Sequence, residues 1–224
     1  MIPLHDSLPS RSFPAVTVWI IVVNVAVFLY EWSLEPFSRN HFVGIYGMVP
    51  DQFLPASLLT SMFLHGGWWH LISNMWILWI YGDNVEDILG RPKYVAFYLL
   101  CGVAAGLTHL MFNLDSRLPT VGASGAIAGV MGAYMVKYPH ARITTLIPII
   151  IFFTTVELPA WFILIYWFVS QIFSGVGSLA ASSGVQQGGV AWFAHVGGFL
   201  TGALLIKVLP TREQYRAYPE LHWR

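Results

Sequence analysis

Three short clusters of residues could together activate a nucleophile: His70 with Asn74, a Gly-Ala-Ser-Gly segment around Ser124, and an Ala-His-Val-Gly-Gly segment around His195. A serine hydroxyl attacks when a neighbouring imidazole takes its proton, and the imidazole later gives that proton to the leaving amine. His70 and Asn74 are four residues apart on one helical face, so both could donate to the oxyanion that forms. No carboxylate occurs at a comparable position. The residue types therefore predict a Ser–His dyad with an oxyanion hole.

The composition indicates that these residues lie in a membrane. Hydrophobic residues make up 56% of the 224-residue chain and charged residues only 10%, with a mean hydropathy of +0.63, whereas a soluble domain carries about 25% charge. Basic and acidic residues number 11 each, so the chain lacks the excess of positive charge that is typical of nucleic-acid-binding proteins. One cysteine, Cys101, excludes an internal disulfide and a multi-cysteine metal site. We expect a polytopic protein whose partner is the lipid bilayer, with no metal, no cofactor and no nucleic acid.

Six apolar windows approach the length of about 20 residues that a spanning helix needs. They are roughly residues 15–34, 67–83, 93–112, 122–137, 145–171 and 190–209. The fifth window contains Pro148 and Pro159, which predicts one long, tilted or kinked helix. Counting along that helix places Glu157 near mid-bilayer, and no role is assigned to it. The apolar segment from Glu35 to Gly66 is expected to lie partly in the outer leaflet.

The basic residues of the loops predict the orientation. Nine Lys or Arg residues fall on the face that holds both termini, and the opposite face has only Arg39 and Arg117. By the positive-inside rule both termini are cytoplasmic, so residues 1–14 and 210–224 are tails around a six-span catalytic domain over residues 15–209. Spans 2, 4 and 6 then run inward, and the three polar clusters share a depth within about 10 Å of the outer surface. We expect a multi-pass protein of the cell membrane.

Small residues predict which spans pack together. Gly125 and Gly129 form a small-xxx-small pair on span 4, and Gly198 and Gly202 form another on span 6. Such faces let two helix backbones approach closely. His195 lies on the same face as the second pair, so close packing of spans 4 and 6 would bring its imidazole to the serine of the first segment.

On these residues the chain resembles the rhomboid family of intramembrane serine proteases over nearly its whole length. The three clusters occur in the family's order on its spans 2, 4 and 6, and the segments 63–70 and 82–86 are also similar. The resemblance implies an all-α membrane protein: a six-transmembrane-helix bundle with a partly membrane-embedded first outside loop and a water-filled cavity. It implies cleavage of single-pass transmembrane proteins in or near their spans, with substrate arriving between spans 2 and 5. By family role Ser124 is the nucleophile and His195 the general base and acid. His70, Asn74 and the Ser124 backbone N–H form the oxyanion hole.

Two positions depart from the family pattern. Ala128 stands where some members stack a tyrosine on the catalytic imidazole, so other contacts must orient His195. The segment Pro55–Thr60 replaces a Trp-Arg pair that many members carry in the first outside loop, so that loop must be anchored differently.

The sequence also bears on four other functions. A zinc protease would need a His-Glu-x-x-His motif, but Leu71 follows His70. An aspartyl protease needs two carboxylates within spans, and Asp83 is the one candidate near a span. A transporter would favour an internal repeat, and none is visible. A rhomboid-like pseudoprotease that binds or escorts membrane clients stays the alternative, although such proteins usually lack the serine or the histidine.

Overall fold

The computed structural model describes residues 1–149, 152–181 and 190–212. The protein is mostly helical, at 68%, with a small sheet. The helices are α1 Ala15–Ser33, α2 Pro36–Tyr46, α3 Ser57–Thr60, α4 Trp68–Leu89, α5 Arg91–Phe112, α6 Ser124–Lys137, α7 Ala160–Ala181 and α8 Trp192–Val208. The strands are β1 Ile2–Asp6, β2 Arg142–Ile149 and β3 Phe152–Pro159.

The short helix α6 lies at the centre of the bundle. Its residues 125–134 are all buried, and α4, α5, α7 and α8 pack around it. The contact with α8 is backbone to backbone: a Cβ added at Gly198 would lie 1.9 Å from the Gly125 carbonyl oxygen, and one at Gly202 would lie 1.9 Å from that of Gly129. The expected packing of the two glycine faces is confirmed, and only glycine permits it.

The expected single helix over 145–171 is wrong. Residues 142–149 and 152–159 form the paired antiparallel strands β2 and β3, and the helix begins only at Ala160. The segment is rich in Ile, Thr, Val and Phe, which favour strands, and Pro159 disfavours helical conformation in the residue before it. Glu157 is therefore an exposed residue of β3 opposite Thr144, not a mid-bilayer helical residue.

The first residues of the chain complete a three-stranded sheet that the sequence did not predict. β1 pairs antiparallel with β2, giving the order β1-β2-β3. The Trp76 indole N–H donates to the Pro3 carbonyl oxygen at 2.7 Å, and the Tyr134 hydroxyl donates to Asp6 Oδ2 at 2.5 Å. Burial raises the pKa of Asp6 to about 6, and the nearby Asp83 adds to the rise. These contacts hold the N-terminal segment against α4 and α6.

Among the described residues, three helices are long and apolar enough to cross a membrane by length and composition: Ala15–Ser33, Arg91–Phe112 and Ala160–Ser178. Helix α8 is apolar but shorter, at 17 residues. These helices support a membrane protein, and the count of six spans stays a prediction.

The segment between α1 and α4 is anchored by apolar side chains instead of a Trp-Arg pair. After α2, two short 3-10 turns at residues 50–52 and 61–63 flank α3. Met62 fills the space over Gly102 of α5, and Leu58 fills the space over Gly106. Both side chains are buried, so the two glycines of α5 fix the loop position.

Glu86, near the C-terminal end of α4, holds the start of α1. The Glu86 carboxylate accepts from the Val16 N–H at 3.0 Å, the Thr17 N–H at 2.8 Å and the Thr17 hydroxyl at 2.9 Å. Free N–H groups at a helix start need such partners. Glu86 therefore caps the start of α1.

The glycine- and serine-rich sequence from Gly175 to Gly189 predicts a flexible segment, but α7 continues through it as far as Ala181. Residues 182–189 lie outside the described part of the chain.

Candidate active site

A cavity of about 1650 Å³ lies beside the start of α6. All four residues predicted from the sequence line it: His70, Asn74, Ser124 and His195. Helix α6 has only 14 residues and begins at Ser124, so the serine is at the end of a short central helix surrounded by longer ones. Helices α4 and α7, the expected borders of substrate access, both contribute to the cavity wall.

Ser124 and His195 form a hydrogen bond. The Ser124 Oγ and His195 Nε2 atoms are 2.8 Å apart, and His195 is buried at 8% exposure. His195 stands one helical turn before Gly198, whose backbone touches Gly125 directly beside the serine. The close contact of α6 and α8 thus accounts for the short distance between the two side chains.

A third side chain, which the sequence did not predict, holds the other ring nitrogen. His195 Nδ1 is 2.7 Å from the amide oxygen of Gln171 on α7, and Gln171 is buried at 5% exposure. The indole rings of Trp167 and Trp192 lie 5.7 and 6.3 Å from the imidazole, between ring centroids. Ala128 leaves the imidazole without a stacked tyrosine, and these three residues contact it instead. The signal that could have found Gln171 is a lone amide in an apolar run of span 5.

His70 and Asn74 converge on the backbone just before Ser124. The Gly66 N–H donates to His70 Nδ1 at 3.3 Å, which leaves the proton of the neutral ring on Nε2. Gly122 has a φ of +124°, and a Cβ there would lie 2.7 Å from His70 Nε2 and 3.7 Å from Asn74 Nδ2. Glycine is needed for both reasons. Two side-chain donors therefore face one spot two residues before the serine.

The Asn74 amide nitrogen is buried and has no hydrogen-bond partner among the described residues. A buried donor without a partner is costly, so a native example needs an explanation such as a ligand or water. The N–H of Ser124 is in the first turn of α6, where backbone donors have no intrahelical acceptor. The three residues that carry these donors, His70, Asn74 and Ser124, line the same cavity.

Two other histidines near the cavity make structural contacts. His65 is fully buried, and its backbone N–H donates to Glu31 Oε2 at 3.2 Å. Burial lowers the pKa of His65 to about 3, so its ring is neutral where it packs edge-on against His70, with centroids 5.2 Å apart. His109 Nε2 pairs with the Thr120 hydroxyl at 3.0 Å.

Comparison with known families identifies the fold. A family model described as the Rhomboid domain matches residues 53–212, which is more than half of the chain. The chain belongs to the rhomboid family. Rhomboids are generally intramembrane serine proteases, and some members are inactive.

Similar proteins come from fungi, animals and plants. "Rhomboid protein 1, mitochondrial" of Saccharomyces cerevisiae is 28% identical over 224 residues, which cover 95% of this chain and 60% of the yeast protein. "Presenilin-associated rhomboid-like protein, mitochondrial" of Homo sapiens is 30% identical over 126 residues, 55% of this chain and 33% of the human one. "Rhomboid-like protein 11, chloroplastic" of Arabidopsis thaliana is 27% identical over 201 residues, 85% of this chain and 64% of the plant one. This chain therefore spans less than two thirds of each relative.

Proposed function

We propose that this rhomboid is an intramembrane serine endopeptidase that cleaves single-pass transmembrane proteins in or near their spans. The observation that carries the proposal is the 2.8 Å contact between Ser124 Oγ and His195 Nε2. It occurs in the same cavity as the unpartnered Asn74 donor. A serine and histidine that only packed two helices together would not need an unpartnered buried donor in the same cavity.

The proposed chemistry follows the positions of the protons. Ser124 Oγ attacks the scissile carbonyl carbon while its proton moves to His195 Nε2. The carbonyl oxygen takes the negative charge, and the Ser124 N–H, His70 Nε2–H and Asn74 amide donate to it. When the C–N bond breaks, His195 gives its proton to the leaving amine and an acyl-enzyme remains. A water then attacks the ester, passes a proton to His195, and Ser124 recovers it as the acid product leaves.

The proposed membrane arrangement has six spans in a cell membrane, with both termini on the cytoplasmic side. The distribution of basic residues supports it, with nine Lys or Arg on the side of the termini and two on the other. The site then opens toward the outer side, and a substrate span reaches it between α4 and α7.

The dyad is tested without any assumption about substrate by labelling the detergent-purified protein with a fluorophosphonate. Variants Ser124→Ala and His195→Ala are compared with Ser73→Ala and His109→Ala, a serine and a histidine that line the same cavity. We expect labelling to be lost in the first two variants and retained in the second two. Labelling that persists in Ser124→Ala would refute the nucleophile.

A folded wild-type protein that never labels would favour the client-binding alternative. Cleavage of a fluorescent single-pass substrate in proteoliposomes distinguishes a closed site from an inactive one, because the bilayer is then present. Binding of the substrate without cleavage there would refute the protease and support a pseudoprotease.

The topology is tested with a membrane-impermeant maleimide on intact cells. Cys101 is fully buried, so we expect the native cysteine not to react with the maleimide. Labelling of single cysteines placed at Ser12 and Ser38 can then be compared directly. We expect Ser38→Cys to label from outside and Ser12→Cys to label only after lysis. The reverse pattern would refute the orientation, and recovery of the protein in an organelle fraction would refute the cell membrane.

A further inference from the structure

We infer that Gln171 is a positioning residue of the proposed Ser124–His195 dyad: its amide oxygen holds the imidazole in the tautomer that can accept the serine proton. The inference rests on the proposed function for its catalytic consequence. The tautomer itself can be measured whether or not the protein is active.

The orientation of the Gln171 amide is fixed by its own partners. Its amide nitrogen lies 3.2 Å from the Trp167 carbonyl oxygen and 3.0 Å from Ser170 Oγ. A carbonyl oxygen only accepts, so the NH₂ group must face Trp167. The amide oxygen consequently faces His195 Nδ1, at 2.7 Å.

The orientation of the Gln171 amide determines which ring nitrogen of His195 carries the proton. Because Gln171 Oε1 can only accept, the neutral imidazole must carry its proton on Nδ1. Its Nε2 is then unprotonated and accepts from the Ser124 hydroxyl at 2.8 Å. The hydrogen bonds form one directed chain from serine to imidazole to amide to the α7 backbone, in which every donor has an acceptor.

The location of Gln171 argues for this role over packing. The residue is buried at 5% exposure in an otherwise apolar helix, where an amide without partners would cost several kcal/mol. The apolar neighbour Ile172 is 39% exposed and lies on another face. A purely structural residue at position 171 could be apolar, as most residues of α7 are.

Two substitutions separate positioning from packing. Gln171→Met keeps the length and apolar contacts but removes the acceptor, and Gln171→Glu keeps an acceptor oxygen. We expect Gln171→Met to lower the fluorophosphonate labelling rate at saturating probe by about 10- to 100-fold, because the imidazole then samples the wrong tautomer. This is less than the ~10⁴-fold loss when a wrong tautomer is enforced in a serine protease triad. Gln171→Glu should recover most of that loss.

A packing role predicts the opposite order, since methionine suits an apolar helix and a buried glutamate does not. Ile172→Met is the matched control on the same helix and should label at the wild-type rate. The loss in Gln171→Met should fall on the maximal rate and leave the probe concentration at half-maximal rate unchanged, because the cavity wall is preserved.

Nitrogen-15 NMR of the imidazoles gives a readout that packing would not move. With His195→Ala used for assignment, we expect His195 to be protonated at Nδ1 in the wild type and to become a mixture of tautomers in Gln171→Met. An unchanged tautomer in Gln171→Met would overturn the inference. So would an unchanged labelling rate in a protein whose labelling Ser124→Ala abolishes. A folded wild type that binds the single-pass substrate in proteoliposomes without cleaving it would instead overturn the proposed function, and the tautomer result would then decide the role of Gln171.

Discussion

Substitution of Gly198 by alanine should separate the two halves of the proposed dyad. The added Cβ would lie 1.9 Å from the Gly125 carbonyl oxygen. Ordinary contact begins at 3.4 Å, so the backbones of α6 and α8 must move apart by about 1.5 Å. If half of that shift were directed along the Ser124–His195 hydrogen bond, the 2.8 Å distance from Ser124 Oγ to His195 Nε2 would exceed 3.5 Å. The serine then loses its base.

The expected loss of rate follows from that displacement. A misplacement of 1 Å in an active site can cost about 10²-fold, so we expect fluorophosphonate labelling of Gly198→Ala to slow by at least about 10²-fold. Overpacking also costs about 1–3 kcal/mol of stability. The labelling rate is therefore measured per folded molecule, with folding checked by thermal unfolding in detergent.

Two further glycines serve as controls. A Cβ at Gly177 on α7 meets nothing within 4 Å, so Gly177→Ala should label and unfold as the wild type does. A Cβ at Gly202 meets the Gly129 carbonyl oxygen at the same 1.9 Å, but two turns from His195. Gly202→Ala should destabilise to a similar degree and slow labelling less. A folded Gly198→Ala protein that labels at the wild-type rate would refute the argument that backbone contact sets the Ser–His distance.

Three other predictions concern the oxyanion donors, the α1 cap and the N-terminal strand. Asn74→Ala should slow substrate cleavage by about 10²–10³-fold without abolishing it, because one oxyanion donor contributes about 2.7–4 kcal/mol to transition-state stabilisation. Asn84→Ala on the same helix is the control. An unchanged cleavage rate in Asn74→Ala would mean that Asn74 serves only in packing. Glu86→Ala leaves three donors at the start of α1 without their acceptor and should lower the unfolding temperature, and an unchanged temperature would contradict the cap. Asp6 has its pKa raised from 3.8 to about 6, so the folded state favours its protonated form. Attachment of β1 should therefore be strongest below about pH 4 and weaken as pH rises through 6. Hydrogen exchange of the β1 amides, corrected for intrinsic rates, should show this change in the wild type and not in Asp6→Asn.

The proposed dyad was predictable because its distance depends on backbone contact. Glycine spacing on spans 4 and 6 identifies the faces that can approach, and helical geometry places His195 one turn from Gly198. The observed contact of Gly198 with Gly125 agrees with this. His70 and Asn74 were predictable for a similar reason, since a spacing of four residues puts both on one face whatever surrounds the helix.

The hairpin and Gln171 were not predictable by the same means. Hydropathy alone does not separate an apolar strand from an apolar helix, so the run from Thr145 to Val156 was predicted to be part of a span. With the start of α7 misplaced by some 15 residues, the face of that helix toward α8 could not be assigned. The contact of Gln171 with His195 depends on that face, and hence on tertiary structure.

Two different helices set the distance from His195 to Ser124 and the tautomer of the His195 ring, so the two properties can be changed separately. The contact of α8 with α6 at Gly198 sets how far Nε2 lies from Ser124. The bond from α7 at Gln171 sets which ring nitrogen carries the proton. Gly198→Ala should therefore keep the Nδ1 proton in the NMR spectrum while labelling slows by at least about 10²-fold. Gln171→Met should instead give a mixture of tautomers and slow labelling by about 10- to 100-fold. Loss of the Nδ1 proton in Gly198→Ala as well would show that α7 and α8 move as one unit. The Ser124–His195 distance and the His195 tautomer would then not be set independently.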